Sequence, residues 1–364
     1  MEDKLVGVIK GFDIEGHPIE IIRYGNGHIN DTYRVTMHLE DKQKKRYILQ
    51  RINHTIFKEP IKLMDNISRV TKHIKGKISV LGGNVLKESI NVIETVDGKN
   101  YLLHESNYYR CYDFIEGVTS YDIVSGPEDF YRSGQALGKF QSLLSDYDGN
   151  TLHETIKDFH NTEKRFIDFC SAVKEDPMDR VKECSEEVQF FMEREKDTGI
   201  INRLIQSGAL PVRVTHNDTK YNNVMIDDET REAVCLVDLD TVMPGVSLYD
   251  FGDSIRSGAT TALEDEKDLS LVHFDLSLFK AYTEGYLSKA RFLSPTEVDY
   301  LPFAAKIMTY ECGLRFLKDY IEGDIYYKID RAEHNLDRAR TQIKLLQEME
   351  RDFQAMKEIV RESR

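Results

Sequence analysis

His216-Asn217-Asp218-Thr219-Lys220-Tyr221-Asn222-Asn223, with Asp238-Leu239-Asp240 beginning fifteen residues after Asn223, is the stretch on which the reading of this chain turns. Two short β-rich runs bracket its polar residues, Val212-Arg213-Val214-Thr215 and Ala233-Val234-Cys235-Leu236-Val237. The order is H-x-D-x-x-x-x-N on a loop, then D-x-D at the end of the next strand. That arrangement suits phosphoryl transfer, which needs a carboxylate to orient and deprotonate the attacking hydroxyl and oxygen ligands for Mg²⁺ on the phosphates. In this reading Asp218 is the base, and Asn223 and Asp238 are the metal ligands. Each residue alone is as well read as a turn former or helix cap, and His216 as a buried core histidine. The ordered combination in a strand–loop–strand setting carries the inference.

Outward from this loop the chain divides by its periodicity. The first hundred residues read as strands over 19–24, 32–37, 47–52, 91–96 and 101–103, with Asp97-Gly98 turning between the last two. One helix is expected over 60–74, with Pro60 in its first turn and Gly76 at its end. An apolar-aromatic run covers 108–115. From Glu128 the period is helical over 128–145, 155–175, 180–206, 275–290, 296–321 and 328–361. The expected architecture is α+β and bilobal. A small β-rich lobe, 1–112, precedes a large helical lobe, 113–364, that carries a short β insert.

Composition removes several classes. Among 364 residues, 63 acidic against 49 basic side chains give a net charge of −14, the wrong sign for a nucleic-acid or anionic-membrane surface. No apolar run approaches the ~20 residues of a membrane span. The amino terminus lacks the apolar core of a signal peptide, and five scattered cysteines form no C-x-x-C pair. A cytoplasmic protein without a disulfide framework or cysteine zinc site is expected.

Four stretches together resemble the aminoglycoside phosphotransferase and choline kinase superfamily, which has the protein-kinase-like fold. They are 25–33 (GNGHINDTY), 216–223, Asp238 through 250–256 (DFGDSIR), and 315–320 (RFLKDY). The first and last, with 238–245 (DLDTVMPG), are similar to the N-acetylhexosamine 1-kinase branch. The resemblance implies an ATP and Mg²⁺ site between the lobes, closed above by the 25–33 loop. It implies phosphorylation of a sugar at its anomeric hydroxyl, with GlcNAc or GalNAc as acceptor. Choline, homoserine, a methylthio-sugar or an aminoglycoside are the alternative acceptors, and a non-catalytic nucleotide-binding module is the alternative function.

In that frame Gly25 and Gly27 bring backbone N–H groups to phosphate. His28, Asn30 and Asp31 either join them or touch the sugar. The third strand, Tyr47-Ile48-Leu49-Gln50-Arg51-Ile52, lacks the usual lysine, so Arg51 or Gln50 takes its place on the phosphates. Glu59 and Asp65 are the candidate helix partners. Lys220 is expected to contact the γ-phosphate. Asp240 either adds a metal ligand or satisfies loop amides. The backbone of Asp113 to Ile115 is expected to bond adenine. His216 and Asp250 brace the catalytic loop, Arg315 and Tyr326 contact the sugar, and Arg256 has no derivable role. The apolar stripe of the last helix either packs on its own lobe or forms a dimer coiled coil, so a monomer or homodimer is expected.

Overall fold

The protein is described here by a computed structural model that covers residues 2–25 and 29–364. Its amino-terminal part is an antiparallel sheet. Strands β1 (His17–Arg23), β2 (Asp31–His38), β3 (Lys44–Ile52), β4 (Val92–Ile93), β5 (Leu102–His104) and β6 (Asn107–Asp113) are ordered β1-β2-β3-β6-β4, with β5 also on β6. Strand alternation decides what each face does. Tyr33, Val35 and Met37 of β2, Tyr47 and Leu49 of β3, and Tyr109 and Cys111 of β6 bury one face. Helix α1 (Glu2–Ile9) covers it with Leu5, Val8 and Ile9. The opposite face carries Ile48, Gln50 and Ile52. Ile48 and Ile52 pack with helix α2 (Pro60–Val80), whose Leu63, Met64, Ile67, Val70 and Ile74 are buried.

A short helix α3 (Val85–Glu88) leads back to the sheet. After β6 the chain passes through β7 (Val118–Thr119) into α4 (Pro127–Leu143), α5 (Thr162–Glu175), α6 (Ser185–Met192), α7 (Glu195–Thr198) and α8 (Ile200–Gln206). The insert follows: β8 (Arg213–Thr215), β9 (Val224–Asp227), β10 (Ala233–Leu236) and β11 (Met243–Gly245), with β11 on β8 and β9 between β10 and β7. Then come α9 (Ser247–Gly258), α10 (Leu276–Lys289), α11 (Pro295–Asp299), α12 (Leu301–Glu322), α13 (His334–Arg351) and α14 (Phe353–Glu362). Among the described residues no helix is long and apolar enough to cross a membrane.

The expected α+β, kinase-like architecture is present, and several boundaries differ for physical reasons. Helix α2 runs on through Gly76 to Val80. Ile78 is buried beyond it, and that burial outweighs the ~1 kcal/mol cost of a mid-helix glycine. β4 and β5 do not form a hairpin with each other; both pair with β6. The 155–175 helix starts only at Thr162, where Asn161 caps it by accepting the Lys164 N–H. The 180–206 stretch is broken into short pieces. The 296–321 stretch is split at Tyr300, and the last stretch is split at Asp352. The stripe of α13 is covered by α12 within the chain.

Close helix approach fixes the floor of the site. A Cβ on Gly252 of α9 would lie 2.3 Å from the Ala304 carbonyl oxygen of α12, so only glycine permits this spacing. Gly252→Ala is expected to destabilise the protein by about 1–3 kcal/mol through overpacking, read as a lower urea midpoint. An unchanged midpoint would show that the two helices separate freely.

Candidate active site

β8 and β11 lie antiparallel, with Thr215 opposite Met243, and bring the two halves of the polar segment side by side. The 216–220 loop leaves β8, and Asp238–Thr241 enters β11. The loop is then fastened to α9. Asp250, fully buried in the first turn of that helix, accepts the backbone N–H of His216 (3.0 Å) and of Asn217 (2.7 Å). It also accepts Nε2 of Gln141 at 2.8 Å, while Gln141 Oε1 accepts the Tyr286 hydroxyl at 2.6 Å. Asp253 accepts the Thr219 N–H at 3.0 Å and is held by Arg256, which also pairs with Glu264. Arg256 thereby gains the place that sequence reading could not give it.

His216 braces the loop from the other side. Its Nε2 bonds the Val237 carbonyl at 2.8 Å, leaving Nδ1 to accept the Asp218 N–H at 3.3 Å. A residue that sequence reading missed adds a third fastening. Buried His160 bonds the Asn217 carbonyl through Nε2 (3.1 Å) and Glu311 through Nδ1 (2.7 Å). Burial raises the Glu311 carboxyl, but His160 outweighs it and holds Glu311 below its ordinary value. His160 lies outside every motif in the sequence, so no signal marks it.

Asp218 emerges half-buried from this frame, 3.2 Å from Lys220 Nζ. Burial raises its carboxyl, yet the adjacent ammonium prevails and keeps it below the ordinary aspartate value. Asp218 in turn holds the Lys220 ammonium well above the usual lysine range. Asn223 donates Nδ2 to the Asp218 carbonyl (2.7 Å) and side chain (3.3 Å). Its Oδ1 has no protein partner among the described residues. Asp238 has left-handed backbone (φ 62°) and opens onto the cleft. Enclosure by the surrounding chain, then Asp240 and Asp218, pushes its carboxyl up to about 6. No hydrogen bond to the Asp238 carboxylate is present among the described residues.

These features fit a hard divalent cation: two unpartnered oxygen donors in a region of uncompensated negative charge. No cluster of three or more His, Cys, Asp or Glu that would hold a metal is present among the described residues. A cation held by Asn223 and Asp238 would therefore complete its shell with phosphate oxygens and water, as Mg²⁺ commonly does.

Two expected residues lie elsewhere. Arg51 and Asp31 sit opposite each other on β3 and β2, on the sheet face covered by α1. Arg51 Nε bonds Asp31 Oδ2 at 2.7 Å and Nη1 bonds Asn107 at 3.3 Å; Asp31 also takes Arg23. Strand alternation turns both away from the cleft, so neither reaches phosphate or acceptor. Gln50 faces the cleft instead. Glu59 pairs with Lys62, and Asp65 with Arg69 and His153, so α2 supplies no glutamate to the sheet.

Asn30 does reach the cleft, donating Nδ2 to Asp240 Oδ2 at 2.6 Å. Gly25 has φ 75° in open space; Gly27 and His28 lie outside the described residues. The Asp113 N–H is taken by the Asn91 carbonyl and its side chain by Lys45, so neither is open for the expected adenine contact. The Ile115 N–H has no backbone partner among the described residues. Arg315, one turn after Glu311 on α12, makes no hydrogen bond or ion pair among the described residues. Its guanidinium lies 5.3 Å from the Phe159 ring centroid, 5.8 Å from Tyr326 and 5.7 Å from Tyr327. A cavity of about 300 Å³ opens beside Phe159, His160 and Asn217.

Residues 20–291 match the APH family, described as a phosphotransferase enzyme family, and the chain belongs to it. The family is one of phosphotransferase enzymes, and the chain's fold is shared with aminoglycoside phosphotransferases and choline kinases. Its fold is similar to a microcompartment-associated aminopropanol kinase (TM-score 0.64, 12% identity, 98% of each chain covered). It is similar also to choline kinase from Cryptosporidium parvum (0.60, 13%, 98% of each). A third likeness is to an amicoumacin kinase in complex with AMP-PNP and Ca²⁺ (0.57, 12%, 94% of this chain and 93% of that one).

Two outcomes follow from the bonding pattern. Asp250→Asn turns one acceptor oxygen into a donor facing N–H groups, and should cost about 1–3 kcal/mol in urea unfolding together with most of the turnover. Arg51→Met should leave the KM for nucleotide within about twofold and cost no more than ~1 kcal/mol, the worth of a part-exposed ion pair. A large rise in that KM would return Arg51 to the phosphate site.

Proposed function

We propose that the chain transfers the γ-phosphate of Mg·ATP to the anomeric hydroxyl of an N-acetylhexosamine, giving the sugar 1-phosphate. In this reading residues 1–112 hold the nucleotide from above, and residues 113–364 supply the catalytic loop and the acceptor side. Asp218 accepts the hydroxyl proton as the acceptor oxygen bonds to the γ-phosphorus and the bond to the ADP oxygen breaks. An anomeric hydroxyl is more acidic than an ordinary alcohol, so a carboxylate held below its usual value suffices. Lys220 exchanges Asp218 for the γ-phosphate as the acceptor hydroxyl arrives. Asn223 and Asp238 would hold the Mg²⁺, which when bound neutralises charge on the phosphates.

The observation that supports the acceptor class is Arg315. Among the described residues it is a cation without an acid partner, set among Phe159, Tyr326 and Tyr327. It lies one turn from Glu311, which holds His160 on the residue preceding Asp218. Such a group suits a neutral acceptor with a carbonyl oxygen for the guanidinium and an apolar ring face for the aromatics. It repels an amine. An amino-alcohol acceptor is the second reading, favoured by the likeness to aminopropanol and choline kinases and by the acidic chain.

ADP release with Mg·ATP should be measured across GlcNAc, GalNAc, choline, aminopropanol and kanamycin. Turnover on the N-acetylhexosamines is expected, falling about 10²–10⁴-fold in Asp218→Asn while nucleotide binding persists. Turnover on the amines alone would overturn the sugar and keep the reaction class. Arg315→Gln should raise the sugar KM about tenfold or more without changing that for ATP. With an amine acceptor the same substitution would lower its KM.

A further inference from the structure

The third strand places Gln50 on the cleft face, and the arginine farther along that face, Arg46, is paired with Glu116; the neighbouring strand carries a second cation there. Arg110 of β6 stands directly opposite Gln50 of β3 in the antiparallel register, so it occupies the same face one strand over. Its side chain is 1% exposed, the largest of the fully buried side chains. Its Nε donates to Gln50 Oε1 at 2.8 Å, and Gln50 Nε2 donates on to Thr32 Oγ1 at 2.9 Å. Its Nη1 is ion-paired with Asp240 Oδ1 across 130 residues of sequence. The second oxygen of Asp240 accepts Asn30 Nδ2, and Asn30 Oδ1 accepts the Asn53 N–H at 2.9 Å. Both oxygens of Asp240 are therefore engaged by groups from the sheet or its edge, and Asp238 two residues earlier has none engaged among the described residues.

This arrangement answers what Asp240 does. It is tied to the sheet rather than to the loop amides of its own lobe, by a charge-assisted bond and an amide bond at once. The geometry points to Arg110 as the positioning cation of this nucleotide site. It fixes Asp240, and through Asp240 and Asn30 it ties the 238–240 segment to the start of β2. The inference rests on the reading of Asp238 as a metal ligand. It places Arg110 as a residue that acts through Asp240.

The test is calorimetric binding of AMP-PNP with and without Mg²⁺ to the full-length chain and its Arg110→Met, Arg110→Lys, Asp240→Asn and Arg110→Met/Asp240→Asn variants. Arg110→Met should weaken Mg·AMP-PNP about tenfold or more and leave metal-free AMP-PNP within about twofold. Arg110→Lys should recover part of the loss, since it keeps the charge without the planar fork. The double variant should be no weaker than the worse single one, the signature of residues acting as a unit. Amide exchange at Asn53 should quicken in Arg110→Met as Asn30 loses its anchor. Equal losses with and without Mg²⁺, or unchanged binding in both Arg110 variants, would overturn the inference while leaving the phosphotransferase reading intact. If Arg110→Met does not fold, the same comparison in Arg110→Lys decides. Absence of Mg²⁺-dependent binding in the unsubstituted chain would overturn both.

Discussion

Two backbone N–H groups on one buried carboxylate set the geometry of this site. Asp250 takes the amides of His216 and Asn217 from beneath, and every other contact of the loop builds on the orientation this gives. Loop peptides have no ladder to satisfy them, so a buried loop must find acceptors elsewhere or forfeit the desolvation cost of each N–H. Here α9 supplies them, the Asp250 carboxylate for His216 and Asn217 and Asp253 for Thr219, while the Asp250 carbonyl takes the Thr219 hydroxyl. The loop is thus held as an extension of a helix, and Gly252 lets that helix sit hard against α12.

Fixing the backbone frees the side chains for chemistry. Asp218 and Lys220 face each other as a pair, while Asp238 carries negative charge that no group among the described residues bonds directly. The neighbouring carboxylates of Asp240 and Asp218 that help raise Asp238 also strengthen the pull of this spot on a cation. Electrostatics within a few residues therefore separates two aspartates into two jobs, one kept ionised by an ammonium and one left in want of a counter-charge. Above them the sheet contributes through Gln50, Arg110 and Asn30, all on the cleft side.

How much of this the sequence disclosed depended on whether a pattern was local. The 216–223 and 238–240 spacing is local, and it marked the residues the fold brings together around Asp218. The two-lobe architecture was legible from the switch between strand and helix periods. The role of Arg51 was not, because alternation states that neighbours face opposite ways without naming the inner one. That needed α1, whose Leu5, Val8 and Ile9 claim the face bearing Arg51 and Asp31. Arg110 and His160 were invisible for a related reason. Their partners, Asp240 and Glu311, lie 130 and 151 residues away, and no spacing rule reaches that far. Helix ends failed where tertiary burial overrode propensity, as at Gly76.

Only eight residues, Leu239 to Val246, separate Asp238 from the start of α9, and three of them are β11. A chain that short runs straight from the cleft to the helix that anchors the loop. In the proposed reading the acceptor's surroundings fall to α12 with Arg315 and to the turn before α5 with Phe159. Helix faces change by substitution at fixed positions, whereas a long loop changes by insertion and deletion. In this scaffold a new acceptor would be reached through point changes at positions such as Arg315 and Phe159, with the phosphate-handling half left untouched.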